Sequence, residues 1–498
     1  MRAWVRRTIT GEKGAALPLV AGMLFVLMGL AAFAVDLGWF YLNATRIQRA
    51  ADAAALAGVV NMPHDFAQAQ VDALELADIN GYVNTTGVTS VEVLEVEDQP
   101  AQLEVRITDT VGTFFLKVFG RDTQVISRAA RAEFVPPLPL GSPTNQFGNT
   151  CDPRQSGCTG QPNFWANIHG KYTQRGMGDA YGPWCTSGSG SGCSGPNPLY
   201  RDRGYLYGIE ATPGSSFTVQ FVDMAFHNIS GGQTTSDTHR TGDRGCEDWG
   251  NSNSACGQRV KTTLYAPDAD PLIPTNNTQL CTYTWEPRPQ VGASSAYTPE
   301  TPSSCFTVNN AQPGIYVLQV QTLEPTNWSY SGLNRYGLRV LGTGARLYGL
   351  GDISIYNNFS DSVTDFYLAE VDETYRGKKF VVELFDPGEG NGTVQLMGPN
   401  GSGWSIFSSC RMYTRPTGVM TGAWNDNGNR SPCEFPSTTS QYNDRWIRLE
   451  VEIPESYECS SNCWWKINYD YPSGANNDTT TWRAFIVGNP IHLVPVGG

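Results

Sequence analysis

Twelve cysteines carry the clearest chemistry in this 498-residue chain, and all of them lie after position 150. They fall into neighbouring couples: Cys151/Cys158, Cys185/Cys193, Cys246/Cys256, Cys281/Cys305, Cys410/Cys433 and Cys459/Cys463. An even count confined to one part of the chain reads as disulfides made in an oxidising compartment. Short loops are the simplest pairing, although twelve cysteines permit many connectivities. Zinc is the lesser reading, because no Cys-x-x-Cys and no pair of histidines at ligand spacing occurs. The five histidines (His64, His169, His227, His239, His492) are scattered, with neither His-Glu-x-x-His nor Gly-x-Ser-x-Gly among them. Asp223, His227 and Ser230 could be drawn as a triad, but a triad is defined by geometry, and these three read better as polar groups of a strand end and its loop.

Two acidic loops could offer oxygens to calcium. One is Asp386–Thr393, with Asp386, Glu389 and Asn391 as ligands; the other is Asn425–Arg430. Asp, Asn and Gly are also what tight turns prefer, and the turn is the favoured reading. Trp249, Trp404, Trp424, Trp464 and Trp465 could present platforms to a sugar, yet large aromatics more often fill a core. Tyr442, Trp446 and Trp482 sit in strand patterns and belong with the core. No enzyme is expected, and no cofactor beyond that possible calcium.

These residues hang from one stretch. Ala15 to Val35 runs 21 residues without a charge, enough for a helix to cross a hydrocarbon layer of about 30 Å. Arg2, Arg6, Arg7 and Lys13 precede it, against Glu12 alone. Basic residues beside a first span stay on the cytoplasmic side, so the N-terminus is expected inside and the rest outside the cell membrane of a bacterium. Ala32-Phe33-Ala34 also resembles a signal cleavage site, but the apolar run exceeds a signal's usual length, and a retained anchor is preferred. The formal charge of −13 argues against nucleic acid or anionic lipid headgroups as partners of the part beyond the apolar run.

From Asp36 to Asn61 apolar residues recur at three and four, continuing the span as one rod that ends before Pro63. A second helix is expected from Asp65 to Asn80, closed by Gly81. The period then changes to two: Val88, Val91, Val93 and Val96, then Leu103, Val105 and Ile107. Thr110–Arg121 reads as a short helix and Thr123–Pro136 as a returning strand.

The stretch Glu12-Lys13-Gly14, the apolar run, Asp36-Leu37-Gly38, Tyr41 and Arg46 to Ala57 closely resembles the N-terminal region of TadG-like proteins of Flp pilus assembly. Val105 to Ile107, Thr113-Phe114-Phe115 and Arg128 to Ala132 resemble the same family and its TadE relatives. The resemblance covers the first 135 residues or so. It implies an envelope-anchored, pilin-like component acting by assembly on other pilus or secretion proteins. Prepilin processing at Gly14 would want glutamate five residues on, where Leu19 stands, so cleavage there is not expected. Many relatives carry a von Willebrand A-type domain with an Asp-x-Ser-x-Ser motif. Asp352-Ile353-Ser354-Ile355-Tyr356 lacks the last serine and no βα units surround it, so that domain is rejected.

Beyond the Pro136–Pro139 stretch, two copies of one plan follow. Tyr207–Met224 matches Tyr367–Pro387, and Leu264–Asp268 matches Leu396–Gly401. Gly314–Leu323 is matched with Arg445–Pro454, and Tyr330–Leu341 with Pro472–Gly488. Strand rhythm with Gly, Pro and Asn turns points to tandem antiparallel β-sandwiches. They are loosely similar to bacterial pre-peptidase C-terminal-like modules. The expected organisation is a basic tail (1–14), a transmembrane helix (15–35), a pilin-like α+β unit (36–135), a Pro/Gly linker (136–165) and two sandwiches (166–345, 346–498). Two functions fit: a non-catalytic assembly protein, or a surface module binding carbohydrate or protein outside the cell.

Overall fold

The computed structural model describes residues 16–62, 66–96, 99–134, 138–150, 164–170, 173, 175–185, 193–223, 226–227, 243–245, 259–268, 271–285, 304–323, 332–359, 362–387, 392–400, 403–416, 419–437, 442, 444–471, 476–487 and 491–496. The chain forms two compact units: residues 1–135 with 489–498, and residues 136–488.

In the first unit, helix α1 (Ala16–Gly58) runs 43 residues, about 65 Å at 1.5 Å per residue. Nothing in its apolar or alanine-rich halves breaks it, and Met62, extended before Pro63, ends the turn that follows. Its first half is the one stretch among the described residues that is long and apolar enough to cross a membrane. Its second half packs beside α2 (Phe66–Ile79) on one face of a sheet, β1 (Thr89–Val96), β2 (Gln99–Gly112) and β3 (Thr123–Phe134). Gly81, in the left-handed region, closes α2 as expected. The period-two residues set the register, with Val91 opposite Ile107 and Val93 opposite Val105. All four are buried against Ile47, Ala51, Ala55 and Ala73.

Two features differ from the sequence reading. Thr110–Arg121 is not a helix: β2 continues to Gly112, as β-branched Thr110 and Val111 favour, and only Leu116–Phe119 turns, as a 3-10 helix. The last strand among the described residues, Ile491–Val494, follows the second unit, called the outer unit below, and pairs with β3, Phe134 opposite Ile491. The outer unit is therefore an insertion between two neighbouring strands of the first.

The outer unit repeats one seven-strand topology. The first copy is β4 (Tyr205–Glu210), β5 (Ser216–Asp223), β6 (Val260–Tyr265), β7 (Gln279–Trp285), β8 (Thr307–Asn309), β9 (Tyr316–Thr322) and β10 (Gly332–Leu341). The second is β11 (Ser362–Glu370), β12 (Lys379–Phe385), β13 (Gly392–Asn400), β14 (Gly403–Ile406), β15 (Trp446–Glu452), β16 (Trp464–Tyr471) and β17 (Asn476–Ile486). In the first copy one sheet runs β7-β6-β9-β4 and the other β8-β5-β10. In the second the orders are β14-β13-β16-β11 and β15-β12-β17, and every pairing is antiparallel. The sandwich cores correspond as well. Phe217 of β5 meets Tyr316 of β9 at 5.0 Å, and Phe380 of β12 meets Trp465 of β16 at 4.8 Å.

The repeat is thus as expected, with one strand reassigned. Topology equates β9 with β16, not with Arg445–Pro454, whose strand β15 corresponds to short β8. The two copies also share a sheet. Strand Phe164–His169 pairs with β10 and with strand Asp352–Phe359, which pairs with β17. The boundary expected at 345/346 therefore falls inside one compact unit. Nor are residues 138–150 a free linker. Leu138, Leu140 and Phe147 are buried, and Pro139–Leu140 and Gln146–Phe147 pair with strand Arg346–Leu350 and with β10. Proline removes a donor but does not stop an edge residue from packing.

Four of the expected disulfides are formed: Cys185–Cys193, Cys281–Cys305, Cys410–Cys433 and Cys459–Cys463. The second ties Cys281 of β7 to the turn before β8, and the third lies within the connection from β14 to β15. Cys151, Cys158, Cys246 and Cys256 lie outside the described residues.

Candidate functional site on the long N-terminal helix

The residues that carry the family resemblance gather where α1 meets the sheet. Asp36, the first residue past the apolar run, is fully buried. Its Oδ1 accepts the backbone N–H of Phe114 (2.7 Å), and its Oδ2 accepts those of Phe115 (3.0 Å) and Leu116 (2.7 Å). Those donors are the free amides at the start of the 3-10 turn, the groups a carboxylate cap satisfies. Burial works to raise the Asp36 pKa, but the three N–H bonds and the Lys117 charge outweigh it and hold the carboxyl below its ordinary value. Trp39, one turn on, meets the edge of Phe114 at 5.3 Å.

Further along, the alanine-rich stretch is a close-approach surface. Ala50, Ala51, Ala54 and Ala55 are buried against α2 and the sheet, where larger side chains would hold the layers apart. Gly58 continues that surface: a Cβ there would stand 2.5 Å from the Ala69 carbonyl oxygen. Gln48 fixes the rotation of the helix, donating to the β3 backbone at Ala129 (3.1 Å) and to Asp52 (2.8 Å). The diagnostic stretch is thus read by this chain's own sheet. Leu37, Tyr41 and Arg46 remain exposed. Sequence reasoning found these residues but not the role of Asp36, whose partners are 78 to 80 positions away.

In the outer unit, sequence reasoning missed a buried polar cluster. Asp179 accepts the His169 backbone N–H (3.0 Å), the Tyr181 N–H (3.1 Å) and the Tyr205 hydroxyl (2.5 Å). Tyr181 donates to Asp352 (3.0 Å), which also pairs with Arg201, whose guanidinium lies 3.6 Å over the Tyr181 ring. His169, Asp179, Tyr181, Arg201 and Tyr205 line one pocket. Burial pushes His169 down to about 4 against the opposing pull of Asp179, and raises both tyrosines. Near neutral pH the histidine is neutral, the tyrosines keep their protons, and Asp179 is engaged at both oxygens. The cluster joins Tyr205 of β4 to the strands that link the two copies.

The remaining expected site residues are dispersed. Side chains of Asp223 and His227, and all of His64, His239 and Ser230, lie outside the described residues, as do Trp249, Glu389 and Asn391. Asp386 is buried and its Oδ1 accepts the Asp444 N–H (2.7 Å). Asp426 pairs with Arg411 and accepts the Gly428 N–H, which is turn chemistry. No metal-ligating group of three occurs among the described residues. Trp464, Trp465, Trp446, Trp482 and Tyr442 are buried. Trp404 and Trp424 are half-buried and have cations over their rings, Lys466 on the first, Arg415 and Arg448 on the second. His492, on the last strand, lies 3.3 Å from Glu133.

Residues 14–69 match the Tad family model, described as Flp pilus-assembly TadE/G-like. The matched segment holds the apolar run, Asp36, the alanine surface and the first turn of α2. The N-terminal segment is therefore TadE/G-like, which ties it to pilus assembly at the level of the family. No curated protein matches the chain. Among solved structures, a Paenibacillus xanthan lyase is 13% identical over 80% of this chain, with a TM-score of 0.16; this chain spans 36% of its length. A Parabacteroides distasonis protein is 10% identical over 55% of this chain and 91% of its own, with a TM-score of 0.09. Neither likeness is close enough to bear on fold or function.

Proposed function

We propose that this chain is a membrane-anchored, non-catalytic component of a Flp/Tad-type pilus or secretion assembly, acting through protein–protein contacts. Its first unit is the assembly module, and its inserted double sandwich is an extracytoplasmic head. The observation that carries the reading is the TadE/G-like match over α1, together with the use of those same residues to build the first unit. The orientation, N-terminus in the cytoplasm, is supported by Arg2, Arg6, Arg7 and Lys13 before the apolar run. Four disulfides beyond it fit an oxidising exterior. The non-catalytic part of the proposal is supported by the sequence, which carries neither His-Glu-x-x-His nor Gly-x-Ser-x-Gly.

The test is piliation of a host that makes Flp-type pili. Removing residues 16–135 should abolish pili, whereas Asp426→Asn or Trp424→Ala in the head should leave them. Normal pili in cells without the first unit would refute the assembly role. Loss of pili from either head substitution would shift the functional surface outward.

A further inference from the structure

Between β2 and β3 the chain makes a loop pinned at both ends. At its neck, the Thr113 N–H donates to the Asp122 carbonyl (3.0 Å) and the Thr113 hydroxyl to that of Arg121 (2.6 Å). Just past the neck, Asp36 takes the three N–H groups of Phe114, Phe115 and Leu116. A loop so constrained would ordinarily turn its apolar residues into the core, yet this one does the reverse. Phe114 and Phe115 are 49% and 44% exposed, and Val118 and Phe119 are 78% and 80% exposed. Each large apolar side chain left in water forgoes roughly 1.5–3 kcal/mol of burial.

Where the loop is pinned explains the exposure. Its Phe114–Leu116 arm is fixed to the first residue after the apolar run, so the patch is continuous with the surface that the span presents to lipid. Ala32, one turn before Asp36 on the same helix face, is the one position from 17 to 35 that is not exposed. The neighbouring chemistry is that of a bilayer interface: Trp39 and Tyr41 on α1, with exposed Lys117 and Arg121 flanking the apolar tip. We propose that the Thr113–Asp122 loop is a second membrane contact, a foot whose Val118 and Phe119 enter the leaflet where α1 leaves it. Phe114, Phe115, Trp39 and Tyr41 lie at headgroup level, and Lys117 and Arg121 face lipid phosphates. Asp36 then acts as the clasp that sets the foot at one depth relative to the span. This proposal rests on the reading that α1 crosses the membrane.

The test uses the full chain in vesicles of phosphatidylethanolamine and phosphatidylglycerol. A nitroxide is placed on one added cysteine at a time, and the parent chain serves as the labelling blank. Leu27→Cys reports the span, Phe119→Cys the foot and Val71→Cys, on the exposed side of α2, the water. Relaxation by oxygen and by a water-soluble nickel chelate gives the depth of each. The foot predicts oxygen preference at 27 and, more shallowly, at 119, with nickel preference at 71. It also predicts that a label at Val118 loses its oxygen preference when Phe119→Asp is added. If 119 reads like 71 while 27 stays deep, the foot is wrong and the span stands. If 27 itself reads as water-exposed, the span reading has failed. Spin–spin broadening at 119 that disappears on dilution with unlabelled chain would mean that a second copy covers the patch, which also overturns the proposal.

Discussion

At the residue scale, a few polar groups are committed to backbone amides and buried charge. Asp36 is the case in the first unit, and the Asp179 and Asp352 cluster in the second. His169 gives the sharpest consequence. It is 1% exposed and its ring nitrogens have no hydrogen-bond partner among the described residues. Burial holds it down to about 4, Asp179 pulls the other way and Arg335 adds to the depression. An unfolded chain regains the ordinary value of 6.5. Below that value the unfolded state takes up a proton that the folded state refuses, so this contribution is full above about pH 6.5 and lost as pH falls toward 4. The loss is on the order of 3 kcal/mol. All tryptophans except Trp4 and Trp39 lie in the outer part, so a urea midpoint followed by tryptophan fluorescence should drop between pH 7 and 4. His169→Gln should flatten that drop, and an equal slope in the variant would show that other groups carry it. None of this was legible in the sequence. His169 and Asp179 stand in loop-rich text without a motif, and Asp352 is 171 positions from its tyrosine.

At the element scale, the legible parts were those with strong local period. The apolar run, the alanine stretch and the alternating valines specify α1, β1 and β2, because each pattern suits one geometry. The Thr110–Arg121 segment was misread because its apolar residues mimic a helical stripe, while the structure that decides them is a carboxylate on another element. In the repeat, β16 was overlooked and Arg445–Pro454 matched in place of it. The Trp464–Tyr471 strand alternates as well, Trp465, Ile467 and Tyr469 against Lys466, Asn468 and Asp470, so the period alone does not say which of the two strands corresponds to β9. Helix packing here is also testable through two glycines of α1. Gly58 has the Ala69 carbonyl and the Leu103 side chain within 2.6 Å of a would-be Cβ, whereas Gly38 has nothing within 4 Å. Gly58→Ala should lower the opening free energy of α1 and α2 amides in hydrogen exchange by about 1–3 kcal/mol. Gly38→Ala should raise it by up to about 1 kcal/mol through helix propensity. Matching effects of the two would mean that α1 and α2 do not pack closely at Gly58.

For the whole molecule, the sequence implied a long apolar N-terminal helix, an α+β unit behind it and a doubled β plan, and those are present. It did not announce that the head is inserted. The C-terminal strand Ile491–Val494 carries only four residues of pattern and finds its place by pairing with β3, more than 350 positions earlier. Nor could composition reveal that the two copies share a sheet, since the strands that join them look like any others. The central claim is an exported, oxidised head held by a retained N-terminal span. The measurement that tests it most directly is the mass of the membrane-extracted protein, taken non-reduced and reduced. The account predicts an N-terminus that still includes the apolar run, and a difference of about 12 Da for six bridges. A chain that starts at Val35, or one whose mass does not change on reduction, would contradict it.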